Sequence, residues 1–71
     1  MSVALEDIRM TARETEITKW ISHGKTAYEI GIILGISEPT IHRHISSARA
    51  KLDAMNSTHL VAKALRRGII T

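Results

Sequence analysis

The sequence predicts an all-α, compact four-helix domain, and three observations carry that prediction. Apolar residues make up 44% of the 71 residues, yet only Trp20 and Tyr28 are aromatic, so the core must be built from Ile, Leu, Val and Ala. Apolar positions recur three and four apart in four stretches, about 12–23, 27–34, 38–53 and 58–67, the period of an α-helix that buries one face. Each stretch opens on a residue able to cap a helix N-terminus, and none alternates as a strand does. A chain of this length holds one core. Residues 10–71 are therefore read as the domain, and residues 1–9, which have no clear cap, as a leader or linker.

The first helix starts at a capping box, Thr11-Ala-Arg-Glu14, in which the threonine hydroxyl accepts from the Glu14 N–H and the glutamate reaches back. Ile17, Trp20 and Ile21 form its apolar stripe, with Trp20 read as a core anchor, and Gly24 ends it in a left-handed conformation. A second capping box, Thr26-Ala-Tyr-Glu29, follows at once, so two helices meet across a very short joint. The second helix is expected to bury Ile30, Leu34 and one of Ile32 and Ile33. In the third, Ile41, Ile45, Ala48 and Leu52 are spaced four, three and four apart as an inward stripe. Asn56, Ser57 and Thr58 form a capping cluster before the fourth, whose apolar face is Leu60, Val61, Ala64 and Leu65 and whose end is marked by Arg66, Arg67 and Gly68.

Residues 27–46 have the grammar of a helix-turn-helix. Gly31 is small enough to let a second helix cross closely, and Gly35 can turn the chain with positive φ. Ser37 is placed as the N-cap of the third helix, with its hydroxyl expected to accept from the Thr40 N–H, and Ile36 and Ile41 are placed as a hydrophobic staple. Pro39 fits only in this first turn, where its missing N–H has no helical partner to lose.

With Ile41 inward and about 100° per residue, the far side of the third helix carries Pro39, Arg43, Ser46 and Ala50, flanked by His42 and Ser47. From Pro39 to Leu52 there is no acid. Such an edge can enter a major groove: Arg43 can fork onto a guanine, and His42 and Ser46 can bond base edges. Phosphate contacts are expected from Lys25, Thr26 and Tyr28 at the start of the second helix and from Thr40, Ser47, Arg49 and Lys51 on the third. For Thr26 and Thr40, simple capping is at least an equal reading.

Charge distribution agrees with a polyanion partner without requiring one. Residues 1–38 hold six acids against four Lys and Arg, whereas residues 39–71 hold one acid against six. The absence of cysteine excludes a disulfide framework and thiolate metal ligands and fits a cytoplasmic protein. No apolar run reaches membrane-spanning length. His42 and His44 lie about 200° apart on one helix and cannot share an ion, and His23 and His59 have no partner at ligand spacing, so no metal is expected. No catalytic constellation stands out either, which argues against an enzyme, and no cofactor is expected.

Met10-Thr-Ala-Arg-Glu-Thr-Glu-Ile17, Trp20, Gly24-Lys-Thr26, Glu29-Ile30, Ile33-Leu-Gly-Ile-Ser37, Thr40-Ile41, His44, Ala48, Lys51-Leu52, Asn56, Thr58 and Gly68 together resemble the LuxR-type (GerE-type) DNA-binding domain. The resemblance covers about residues 10–70 and looks most like the quorum-sensing branch, whose regulators join this domain to an N-terminal domain that binds acyl-homoserine lactones. It implies a four-helix fold with the third helix reading bases through His42, Arg43 and Ser46. It also implies a dimer contact on the fourth helix, and Val61, Ala64 and Leu65 are expected to be shared between the core and that contact; RNA polymerase is a further partner to be expected.

The expected function is therefore a sequence-specific transcription regulator, or its DNA-binding fragment, that binds a two-fold symmetric site in double-stranded DNA as a dimer. The alternative is an interaction module that pairs with a full-length regulator of this type through the fourth helix and antagonises it.

Overall fold

The structure is a computed structural model that describes residues 9–71, so all but Arg9 of the expected leader lies outside the described residues. Four helices follow in order: α1 (Ala12–Ser22), α2 (Ala27–Leu34), α3 (Glu38–Leu52) and α4 (Ser57–Arg66). Among the described residues there is no strand. The longest helix, α3, packs against the other three, and α1 also packs against α4.

Both capping boxes form. Thr11 Oγ1 accepts from the Glu14 N–H while Glu14 Oε1 accepts from the Thr11 N–H, and Thr26 and Glu29 repeat the arrangement. At the start of α3 the Ser37 hydroxyl does not cap the backbone as expected; it pairs at 2.9 Å with the Thr40 hydroxyl. Pro39 lies in this first turn, where it interrupts no helical hydrogen bond. Asn56 caps α4 by accepting from the His59 N–H.

The core is aliphatic. Ile17 of α1, Ile30 of α2, Ile41, Ile45, Ala48 and Leu52 of α3, and Leu60 of α4 are all buried. Each large side chain among them contributes roughly 1.5–3 kcal/mol relative to leaving it in water. Trp20 is half-buried: it packs against this cluster and lines a shallow groove on α1 with Glu16, Lys19 and His23. Beyond α4 the chain turns at Gly68 and folds Ile70 back into the core, with the Ile69 N–H donating to the Ala64 carbonyl at 2.9 Å.

Two expectations about apolar residues need correction. Neither Ile32 nor Ile33 is buried; they are 65% and 43% exposed. Eight residues of α2 lie mainly against α3, so only a narrow face, Ile30 and Gly31 flanked by Ala27 and Leu34, is covered. Ala64, expected at a dimer contact, is fully buried among the core residues and has no surface to offer a partner.

The joint between α2 and α3 depends on two glycines. Gly35 takes φ 69°, ψ 34° and reverses the chain, a conformation that costs a side-chain-bearing residue roughly 1–2 kcal/mol. Gly31 has a different role from the one expected. The neighbour that needs its small size is the turn itself, because a Cβ on Gly31 would lie 2.6 Å from the Ile36 carbonyl oxygen. The Ile36 N–H also donates to the Gly31 carbonyl at 2.9 Å, so the turn is fastened to the helix it leaves.

Candidate nucleic-acid interface

Burying Ile41, Ile45, Ala48 and Leu52 turns the opposite face of α3 outward. His42, Arg43 and Ser46 are all exposed there, together with Pro39 and Ala50. These three donor-bearing side chains therefore share one edge of a helix that is fixed by packing on its other side. His44 is half-buried at the flank.

Two of the three are held by residues one turn earlier. His42 Nε2 lies 3.3 Å from Glu38 Oε2, and Arg43 Nη2 donates to Thr40 Oγ1 at 3.2 Å, which in turn meets the Ser37 hydroxyl. Glu38 was not recognised as part of this edge from sequence, since it lies one residue before the acid-free run. The signal was nonetheless present: an acid and a histidine four apart on a helix face each other.

The expected phosphate-binding residues divide into two groups. Lys25, Thr26 and Tyr28 gather at the start of α2, with Tyr28 63% exposed. Glu29 already bonds the Thr26 N–H and Thr26 the Glu29 N–H, which leaves the Ala27 and Tyr28 N–H groups at this helix end for an outside acceptor. The Glu29 carboxyl is held below its ordinary value by the Thr26 backbone N–H first and the Thr26 side chain second. Thr40 lies half-buried at the base of the leading edge.

Arg49 and Lys51 are engaged within the domain, and Ser47 is half-buried beside them. Arg49 Nη2 donates at 2.7 Å to the Met55 carbonyl, which ties α3 to the loop before α4. Lys51 Nζ donates at 2.8 Å to Glu14 Oε1, and this ion pair is largely covered, with side-chain exposures of 18% and 5%. Burial pushes the Glu14 carboxyl up, but Lys51, the Ser47 hydroxyl and the Thr11 N–H together outweigh it and leave the carboxyl below its ordinary value. Glu14 thus serves both as the cap of α1 and as the link from α1 to α3, a pairing across 37 positions of sequence.

On α4, Leu65 is 46% exposed and Val61 half-buried, beside exposed Arg66 and Arg67. These two apolar side chains are the part of the expected dimer contact that reaches the surface. Among the described residues, no group of three or more His, Asp or Glu side chains could hold a metal ion.

A short helix, a glycine turn and a longer helix with a polar, exposed leading edge define a helix-turn-helix domain. Residues 9–64 match the family described as bacterial regulatory proteins, luxR family, and the chain belongs to that family. The match is to regulatory proteins, not to enzymes. Over 62 residues it is 53% identical to the HTH-type quorum sensing-dependent transcriptional regulator RpaR of Rhodopseudomonas palustris and 50% identical to the transcriptional activator protein BjaR1 of Bradyrhizobium diazoefficiens, covering 87% of this chain and 26% of each relative. It is 37% identical to the regulatory protein SdiA of Escherichia coli over 68 residues, which is 96% of this chain and 28% of that protein. The chain thus spans about a quarter of the length of the curated relatives it matches.

Proposed function

We propose that residues 10–71 form the DNA-binding domain of a transcription regulator in the cytoplasm, and that α3 reads bases in the major groove through His42, Arg43 and Ser46. The observation that carries this reading is the exposed edge of α3. It presents hydrogen-bonding side chains on a helix whose opposite face is locked into the core, and no acid follows from Pro39 to Leu52. Lys25, Thr26 and Tyr28 at the start of α2, with Thr40, contact phosphates and fix the register of α3 in the groove. Arg49 and Lys51 have a smaller share in this, because each bonds a partner inside the domain, and half-buried Ser47 has less surface to offer than Ser46. Among the described residues no helix is long and apolar enough to cross a membrane.

Two copies meet through Val61 and Leu65 of α4, so that two α3 helices address two half-sites related by a two-fold axis. RNA polymerase is the further partner such a regulator meets once it is on DNA. The names of the relatives, a quorum sensing-dependent regulator and a transcriptional activator, support a role in quorum-sensing regulation.

Arg43 gives the test. Its guanidinium is the side chain on this edge able to bond a guanine O6 and N7 together, so Arg43→Ala is expected to cost about 1–3 kcal/mol of discrimination at one base pair of each half-site. Competition binding with every single-base variant of a selected site measures this. A mutant that keeps the parent's preference at every position would show that α3 is not the reading helix.

A further inference from the structure

Glu38 is the first residue of α3 and the acid that stands at the head of the reading edge. Its side chain is about half exposed, and it faces His42 one turn later, Oε2 to Nε2, at 3.3 Å. An ionised carboxylate has acceptors only, so the imidazole must donate here and Nε2 carries the proton. The contact thereby favours, before any base arrives, the rotamer in which His42 faces Glu38 with Nε2 protonated. Arg43 is held instead by a neutral hydroxyl, that of Thr40.

A carboxylate in this position has two opposed effects. It repels the phosphates of any duplex, whatever the sequence, and so lowers general affinity. It also orients a neighbouring side chain that contacts a base edge, and correct orientation matters only for the right base. We propose that Glu38 is a positioning residue for base discrimination: it acts through His42 and gains specificity at the expense of affinity. This inference rests on the reading of α3 as the helix that enters the groove.

The bland account of Glu38 is that an acid in the first turn favours the helix dipole and makes an exposed pair with His42. The two accounts separate in Glu38→Gln, which keeps size, removes the charge and, because an amide offers donors as well as an acceptor, no longer dictates that His42 Nε2 carry the proton. Selection from random duplexes, followed by competition binding, is carried out on the parent chain, Glu38→Gln, His42→Ala and the double variant, with thermal unfolding as a fold control. The expected result for Glu38→Gln is tighter binding to random duplex and a loss of discrimination of about two- to fivefold at one base position, the share that an exposed pair can transmit. His42→Ala should affect that same position, and adding Glu38→Gln to His42→Ala should change discrimination little further. A Glu38→Gln chain that selects the parent's site with the parent's ratios overturns the role of Glu38 while leaving α3 as the reading helix. A parent chain that selects no sequence overturns both. A drop in melting temperature with unchanged selection assigns Glu38 to helix stability alone and likewise refutes the proposal.

Discussion

Replacing Lys51 with Met is expected to destabilise the domain by roughly 2–3 kcal/mol, because it leaves the Glu14 carboxylate covered and without its cation. Glu14 is 5% exposed and Lys51 18%, so water reaches the pair from the lysine side and the loss falls short of that for a fully interior pair. In a domain of this size the change lowers the melting temperature by on the order of 10–20 °C. The double variant Glu14→Gln with Lys51→Met should recover more than half of the loss, since glutamine can still accept from the Thr11 N–H while the orphaned charge is gone.

The same pair sets an acid limb of stability. The Glu14 carboxyl is lowered in the folded domain, so its contribution is complete above the ordinary carboxylate range and is lost as pH falls through the lowered value. Lys51→Met should flatten that limb in urea unfolding measured across acidic pH. An unchanged melting temperature and an unchanged acid limb would mean that the pair does not join α1 to α3.

Gly31→Ala is the second substitution with a large expected effect, and here the sign is diagnostic. In an ordinary helix interior this change stabilises by roughly 0.5–1 kcal/mol, because glycine has more freedom to lose. At Gly31 the new Cβ would stand 2.6 Å from the Ile36 carbonyl oxygen, a backbone atom on a turn fastened to the Gly31 carbonyl. Either the turn or the crossing of α2 and α3 must shift, at a cost of about 1–3 kcal/mol. Chemical denaturation of the variant should show that loss, together with weaker DNA binding as α3 is displaced relative to α2. Ile32→Ala, at an exposed position of the same helix, is the control and should change stability little. If Gly31→Ala raises stability, the close contact at the turn is not real.

Local signals of the fold could be read from sequence because each acts over a few residues. The two capping boxes, the left-handed Gly35 and the stripe from Ile41 to Leu52 depend on spacing alone, and all are present in the structure. The choice between Ile32 and Ile33 failed because an apolar residue on a short helix is buried only if a neighbour covers it, and α2 has mainly one. Ala64, expected to be shared between the core and a dimer contact, lies wholly on the core side, its methyl fully buried while neighbouring Leu65 is 46% exposed. The Lys51 to Glu14 pair spans 37 positions, and no periodicity announces it. The candidate interface was more legible than these. The outward positions of His42, Arg43 and Ser46 follow from the inward stripe by helix geometry, whereas the partners of Arg49 and Lys51 required tertiary structure.

Selecting duplexes from a random pool and measuring affinity across a salt series tests whether this domain reads DNA through α3 as a pair of copies. Two α3 helices related by a two-fold axis should select a sequence with two-fold symmetry. Affinity should fall linearly on logarithmic axes, with a slope of about −0.9 for each phosphate neutralised. No binding at low salt by the folded chain would contradict that reading and favour a module that pairs with another regulator instead.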